Sequence, residues 1–288
     1  MGRRIFVNNF GLTLKKIRKS KKYSIEDLAS IEVSKSAISR FERGEIDIAF
    51  SKLVMILDTL HVSTEEFISL ANYEDTKKDT LTFSQMLLYN DIDDLEKQID
   101  LLKQELKRNY DQLKYLNLIV YEYHMNNMKN IEVPKKKISF LIDYLFSCEF
   151  WTYYELTLFG NMIEGIPLET CLVLSKELVK KSPLLKQNRQ YFETLINVLS
   201  NIVLLCVSSD KIKEAKELMG ILNDFYLDET YLLERTMIFY LEDIISSSEL
   251  GSYDIKNINK AIQIFELSES PNFHKFLVSY FENITKGS

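Results

Sequence analysis

The amino-acid sequence predicts an all-α protein in two parts: a compact bundle of five short helices, then a longer helical-repeat domain. Three observations carry this expectation. Only 8 glycines and 4 prolines occur in 288 residues. Sheet-rich folds need more turn residues than that, whereas helix interiors exclude both types. Apolar residues recur every three or four positions through most of the chain, the period of a helix with one buried face. Charge is also divided: residues 1–70 hold 12 Lys and Arg against 9 Asp and Glu, and the remainder holds 24 against 33. The expected boundaries are a first domain over 1–70, a linker over 71–80 and a second domain over 81–288, a length suited to two domains.

The first domain is read from its caps and apolar spacing. Phe10, Leu14 and Ile17 recur at helical spacing and predict a helix over 9–21. Ser24 then opens S-I-E-D, a cap with an acidic residue at the third helical position, and predicts a helix over 25–30. A short turn, Ile31 to Val33, leads to Ser34, which caps a helix from Lys35 to Arg43 that Gly44 stops. Leu53, Ile56, Leu57 and Leu60 share one face of a helix over 50–60. A fifth helix runs from Thr64 to Leu70. Five short helices, two of them separated by three residues, describe a helix-turn-helix domain. Arg3 to Lys22 carries eight basic residues and no acidic one, which suits a polyanionic partner.

The segment SKSAISRFERG, Ser34 to Gly44, resembles the recognition helix of the lambda-repressor-like class (Cro/C1, or XRE). LDTLHVSTEEFI, Leu57 to Ile68, resembles the end of that domain. The turn before the recognition helix is one residue shorter than usual in the class and lacks its glycine. The resemblance implies that this helix enters the major groove N-terminus first. Lys35, Ser36, Ser39 and Arg40 then point outward, with Lys35 and Arg40 able to donate to guanine O6 and N7. Ser34 caps the helix and can meet a phosphate at its positive end. Lys15, Lys16, Lys19 and Arg43 suit phosphates, which position a domain without reading sequence. Ile38 and Phe41 are expected in the core. An Arg18–Glu42 pair is implied by the class.

The second domain begins with DIDDLEKQIDLLKQELKRNYDQLKYL, Asp91 to Leu116, a strongly amphipathic stretch. Helices are expected over 117–129, 135–148, 150–160, 167–180, 187–208, 211–225, 229–247, 254–268 and 272–284. Short connections favour antiparallel neighbours. ETCLVLSKEL, KEAKELMGIL and NKAIQIFELS align on the small residues Cys171, Ala215 and Ala261, spaced by 44 and 46 residues, each with an apolar residue three positions later. Small residues at such points let helices approach closely, as in solenoids of the tetratricopeptide kind, although this period is longer than that repeat's standard one.

WTYYELTLFGN, Trp151 to Asn161, resembles the signature segment of the Rgg/GadR/MutR family of Gram-positive regulators. Asn188-Arg189, Ile196-Asn197 and the late segment NKAIQIFELSESPNFHKF agree with it. The resemblance implies a right-handed, tetratricopeptide-like solenoid, a homodimer, and a short imported signalling peptide bound on the concave face. Some relatives carry a cysteine near the start of the fourth helix at the dimer contact. The matching position here is Phe50, so no disulfide is available there.

An extended peptide in such a groove needs partners for its amides, and asparagine both donates and accepts. Asn197 and Asn201 stand four apart on one helix and can share a face. Asn161, Asn188 and Arg189 are further candidates, Arg189 for a peptide carboxylate. Tyr153, Phe192, Phe239 and Tyr240 are candidate pocket walls. Glu164, if it lines the groove, would favour a basic group on the peptide. Each also has a plainer reading, as a core aromatic or as an asparagine satisfying a helix contact.

Other functions find little support. Cys148, Cys171 and Cys206 lie far apart without a CxxC or a Cys/His cluster, so neither a metal site nor a disulfide framework is expected. His61, His124 and His274 are isolated, and no catalytic triad pattern or phosphate loop stands out. No enzyme activity and no cofactor are expected. The start lacks the apolar core of a signal peptide. The longest apolar run, 195–207, contains Asn197, Ser200 and Asn201 and reads as too short and too polar to span a bilayer. A cytoplasmic location follows, with no membrane partner. The function expected is a peptide-responsive regulator acting as a homodimer on palindromic double-stranded DNA, with RNA polymerase as a candidate further partner. The alternative is an interaction protein whose repeats bind another protein, with a DNA-binding head and no peptide ligand.

Overall fold

The structure, a computed structural model, describes residues 2–30, 32–71, 92–182, 188–250 and 255–286. It separates into two units, Met1–Ser84 and Gln85–Ser288. Of the expected linker, Ala71 closes the fifth helix. Residues 72–80 lie outside the described residues, as does Ile31.

The first unit contains α1 (Gly2–Ser20), α2 (Ile25–Leu28), α3 (Lys35–Glu42), α4 (Phe50–Thr59) and α5 (Thr64–Leu70). Helix α1 starts earlier than its apolar periodicity, because nothing between residues 3 and 9 breaks it. Helix α2 is shorter than the expected 25–30: Ala29 already has extended backbone, φ −77° and ψ 139°. Ser24 and Ser63 each form a reciprocal capping box, with Asp27 and Glu66 respectively. Leu14, Ile38, Phe41, Ile56, Leu57, Leu60 and Phe67 make the core. Phe10 of α1 stacks on Phe67 of α5 with ring centroids 5.8 Å apart. Burying apolar side chains of this size supplies about 1.5–3 kcal/mol each, and it selects this face of every helix.

The second unit comprises α6 (Ile92–Arg108), α7 (Gln112–Met128), α8 (Lys135–Ser147), α9 (Tyr153–Gly160), a 3₁₀ turn (Ile163–Gly165), α10 (Leu168–Lys181), α11 (Arg189–Ser208), α12 (Ile212–Asn223), α13 (Leu232–Leu250), α14 (Ile255–Leu267) and α15 (Pro271–Lys286). No strand occurs among the described residues. Chain neighbours pack together: α6 on α7, α11 on α12, both on α13, then α13 on α14 and α14 on α15. Cys171, Ala215 and Ala261 are fully buried, as the small-residue alignment requires.

The amphipathic run over 91–116 is not one helix. It breaks at Asn109–Asp111, where Asp111 leaves the helical region (φ −133°, ψ 122°) and its carboxylate accepts from the Lys114 backbone N–H at 3.0 Å. A cap residue inside a periodic run ends one helix and starts the next. The apolar run over 195–207 belongs to the 20-residue α11, long and apolar enough by composition to cross a membrane, but 67% of its apolar window is buried inside the second unit. It is the unit's central core helix.

Candidate functional site

Two surfaces, one in each unit, hold part of the residues singled out from the sequence. In the first unit, Ser34 sits before α3 with φ −73° and ψ 149°, and its Oγ accepts the Ala37 N–H at 3.2 Å. This leaves Lys35, Ser36 and Arg40 exposed and Ser39 half-buried, while Ile38, Phe41 and Glu42 turn inward. The glycine missing from the preceding turn is replaced by a side chain. Ser30 Oγ accepts the N–H groups of Glu32 and Val33, and Ser30 and Val33 exchange backbone hydrogen bonds. Gly44 at φ 69° ends the helix, in a region that residues with a Cβ rarely adopt.

Beneath this face Arg18 grips Glu42 with two hydrogen bonds, 2.6 and 2.7 Å, and donates to the Tyr23 carbonyl at 2.9 Å. The pair ties α1 to α3. The exposed cations of α3 are held by carboxylates. Lys35 Nζ lies 2.7 Å from Glu26. Glu45 accepts from Arg43 and stands 3.6 Å from Arg40. The Arg43 hydrogen bond, followed by the charges of Arg43 and Arg40, holds the Glu45 carboxyl below its ordinary range. Arg43 also donates to Ser39 Oγ at 2.6 Å. On α1, Lys16 and Lys19 are exposed and Lys15 is half-buried.

In the second unit the signature segment begins with Trp151, fully buried and edge-on to Phe159 at 5.6 Å. Thr152 caps α9 in a box with Glu155, whose other carboxylate oxygen accepts from the Tyr144 hydroxyl at 2.6 Å. At the far end of α9, a Cβ on Gly160 would lie 2.8 Å from Val198. Glycine there lets α9 meet α11 and sets down the next residue, Asn161, at the edge of a cavity of about 390 Å³. The cavity is walled by α7, the end of α9, the 3₁₀ turn, α11 and α15. Asn161, Glu164 and Asn201 all line it. The Asn161 carbonyl accepts from His124 Nε2 at 2.9 Å, and burial lowers the His124 pKa, favouring the neutral imidazole. Tyr280 of α15 is pinned to α11 by donating to the Leu204 carbonyl at 2.7 Å, and Ser208 donates to its oxygen at 3.1 Å.

The remaining candidates lie elsewhere. Asn197 is exposed on α11 one turn before Asn201, on the open stripe Arg189, Glu193, Asn197, Asn201, Leu205 of an otherwise buried helix. Asn188 caps α11 by accepting the Tyr191 N–H at 3.0 Å. The Arg189 guanidinium is already engaged, with Glu193 at 2.7 Å and the Thr230 carbonyl at 3.0 Å, and it lies over the Tyr231 ring. Tyr153 accepts from Gln190 at 3.2 Å, and Phe239 is half-buried on α13. Phe192 and Tyr240, considered as pocket walls, are core: Phe192 packs edge-on to Phe225 and Tyr231, and Tyr240 donates to the Leu277 carbonyl. The sequence reading missed Tyr123, His124, Ser208, Phe276 and Tyr280 as lining residues. The four-residue spacing of Phe276 and Tyr280 was visible, but which helix they would face was not.

A helix-turn-helix head with an outward cationic helix, joined to a helical second unit with a cavity, is the arrangement of a DNA-binding regulator with a ligand-sensing domain. Comparison with known proteins agrees. Residues 14–67 match the helix-turn-helix family, and residues 99–278 match the C-terminal domain of the HTH-type transcriptional regulator Rgg. The chain therefore belongs to the Rgg family of transcriptional regulators, which are not enzymes. Among solved structures, the SHP pheromone receptor Rgg2 of Streptococcus dysgalactiae is 26% identical, with a TM-score of 0.81 over 97% of this chain and 100% of that one. A PrgX/iCF10 complex is 20% identical, with a TM-score of 0.77 over 97% of each chain. A bacterial peptide pheromone/receptor complex is 22% identical, with a TM-score of 0.75 over 96% of this chain and 98% of that one. The last two show the shared fold.

Proposed function

We propose that this regulator is controlled by a short imported peptide bound in the second unit, and that it acts in the cytoplasm as a homodimer on a palindromic operator. The observation that carries the reading is the meeting of Asn161, Glu164 and Asn201, from two segments some 40 residues apart, around one cavity. Two amide side chains offer both donors and acceptors to a peptide backbone, and the remaining wall is largely apolar. The pheromone-receptor relatives support the ligand class.

At the DNA, Lys35 and Arg40 read base edges with Ser36 and Ser39 beside them. Ser34, Arg43, Lys15, Lys16 and Lys19 meet phosphates. Two-fold symmetry of the dimer calls for inverted half-sites. A peptide that prefers one packing of the second unit changes the spacing of the two heads and hence DNA affinity. RNA polymerase is a further partner on this reading.

The test adds a pool of synthetic octapeptides to the protein bound on duplexes it has itself selected from a random pool. A change in the fraction of DNA bound, lost in the Asn161→Ala/Asn201→Ala double variant, supports the reading. DNA binding that no peptide alters, while a protein partner does alter it, favours the interaction-protein alternative.

A further inference from the structure

A second cavity, of about 650 Å³, adjoins the first and shares Tyr123 and Glu164 with it. It lies among the 131–142 segment, α7 and the 163–167 turn, and its wall is largely branched and apolar: Ile131, Val133, Ile138, Ile142 and Ile166. Ile131 is exposed. Asn161 and Asn201 line the first cavity, and Asn127 lines the second. Glu164 lies where the two cavities meet.

Among the described residues that line the first cavity, Glu164 is the one carboxylate, and burial favours the neutral form of His124. The second cavity adds Glu132 and Lys135, one of each sign, so the combined wall keeps a net charge of −1. No cation pairs with Glu164 among the described residues, and its charge acts on the Tyr123 phenol beside it. Glu122, which lines neither cavity, is held by Lys103 and Lys137. Glu164 is exposed, and its carboxylate, on the rim shared by the two cavities, attracts a cationic ligand group and repels an anionic one.

We propose that Glu164 is a specificity-determining residue for the ligand. The groove takes a peptide that presents an ammonium or guanidinium group to the Glu164 carboxylate and a branched aliphatic side chain to the neighbouring apolar cavity. This rests on the peptide-binding reading above and states the chemistry of its ligand. A charge-assisted hydrogen bond holds the cation, and selectivity arises as much from rejection of acidic peptides as from attraction of basic ones.

The test is affinity selection from an equimolar synthetic octapeptide library, read by mass spectrometry, on full-length wild type, Glu164→Gln, Glu164→Lys and the control Glu266→Gln. Glu266 is exposed on α14, away from both cavities. Wild type and Glu266→Gln are expected to enrich peptides holding one Lys or Arg beside Ile, Leu or Val by about tenfold. Glu164→Gln keeps the aliphatic enrichment and loses the basic one, and Glu164→Lys turns the preference to Asp and Glu. The same charge preference in wild type and Glu164→Gln overturns the proposal while leaving the peptide reading in place. Retention of no peptide by any of the four proteins removes the peptide reading, and the proposal with it.

Discussion

At the scale of single residues, the head depends on one buried ion pair. Arg18 and Glu42 are 8% and 3% exposed, and the pair's hydrogen bonds, with Tyr23 added, satisfy most of its donors and acceptors. Removing one partner leaves a buried charge unpaired, which costs about 3–5 kcal/mol. Glu42→Ala is therefore expected to unfold the head at markedly lower temperature in differential scanning calorimetry, with the transition of the second unit unmoved. The thiols behave differently from one another. Burial pushes Cys171 up to about 12 and Cys206 up to about 11, and both are fully enclosed. Cys148 is half-buried. Native protein treated with a thiol reagent is expected to be modified at Cys148 alone; equal labelling of Cys206 would mean that α11 is not the closed core described here. Residue identity in the head was legible beforehand because neighbours in sequence determine it: Ser34, Ile38, Phe41 and Gly44 all follow from caps and a 3.6-residue period. In the second unit the same residue types had two readings, and partners 37 to 41 residues away decided between them, as for Arg189 with Thr230 and Tyr153 with Gln190.

At the scale of elements, helix ends carry pH dependence and helix faces carry DNA affinity. Hydrogen bonds from Ser24, chiefly through its hydroxyl, hold Asp27 below its ordinary value of 3.8, and bonds from Ser63, chiefly through its backbone, hold Glu66 below 4.5. A carboxyl depressed in the folded state stabilises it above the unfolded value, and this contribution is lost as pH falls through the folded value. The Asp27→Asn/Glu66→Gln double variant is thus expected to melt below wild type at pH 7, with the two curves converging as pH falls below the depressed folded-state values of the two carboxyls. A gap that persists at low pH would point to packing rather than capping. At the end of α3 the cations Arg40 and Arg43 share the exposed acid Glu45, with which DNA phosphates would compete if this face meets DNA as proposed. Glu45→Gln is expected to raise affinity for random duplex DNA by up to about fivefold at low salt and to steepen the salt dependence. Helix existence was legible throughout, since few glycines and prolines interrupt the pattern. Helix ends were less so: the run over 91–116 is periodic across its break, and only the capping geometry of Asp111 separates α6 from α7.

At the scale of the whole molecule, a cationic head joined to an acidic repeat domain keeps the polyanion partner to one unit. Residues 1–70 and the remainder differ in sign, so the second unit is expected to repel a polyanion that the head attracts. The two-unit plan and the family were legible from motifs, because SKSAISRFERG and WTYYELTLFGN are local strings. The groove was legible only in part. Asn161, Glu164 and Asn201 were singled out, but His124, Phe276 and Tyr280 complete the wall from helices that no local pattern ties to α11.

The central claim is that α3 reads DNA sequence, and the most direct test is selection from a pool of random duplexes by wild type and by Arg40→Ala. Wild type is expected to enrich an inverted repeat and bind it with an affinity that falls steeply with salt. Arg40→Ala is expected to bind that duplex about ten- to a hundredfold more weakly while keeping its affinity for random DNA. Enrichment of no sequence by wild type, or of the same repeat with equal affinity by both proteins, would contradict the account.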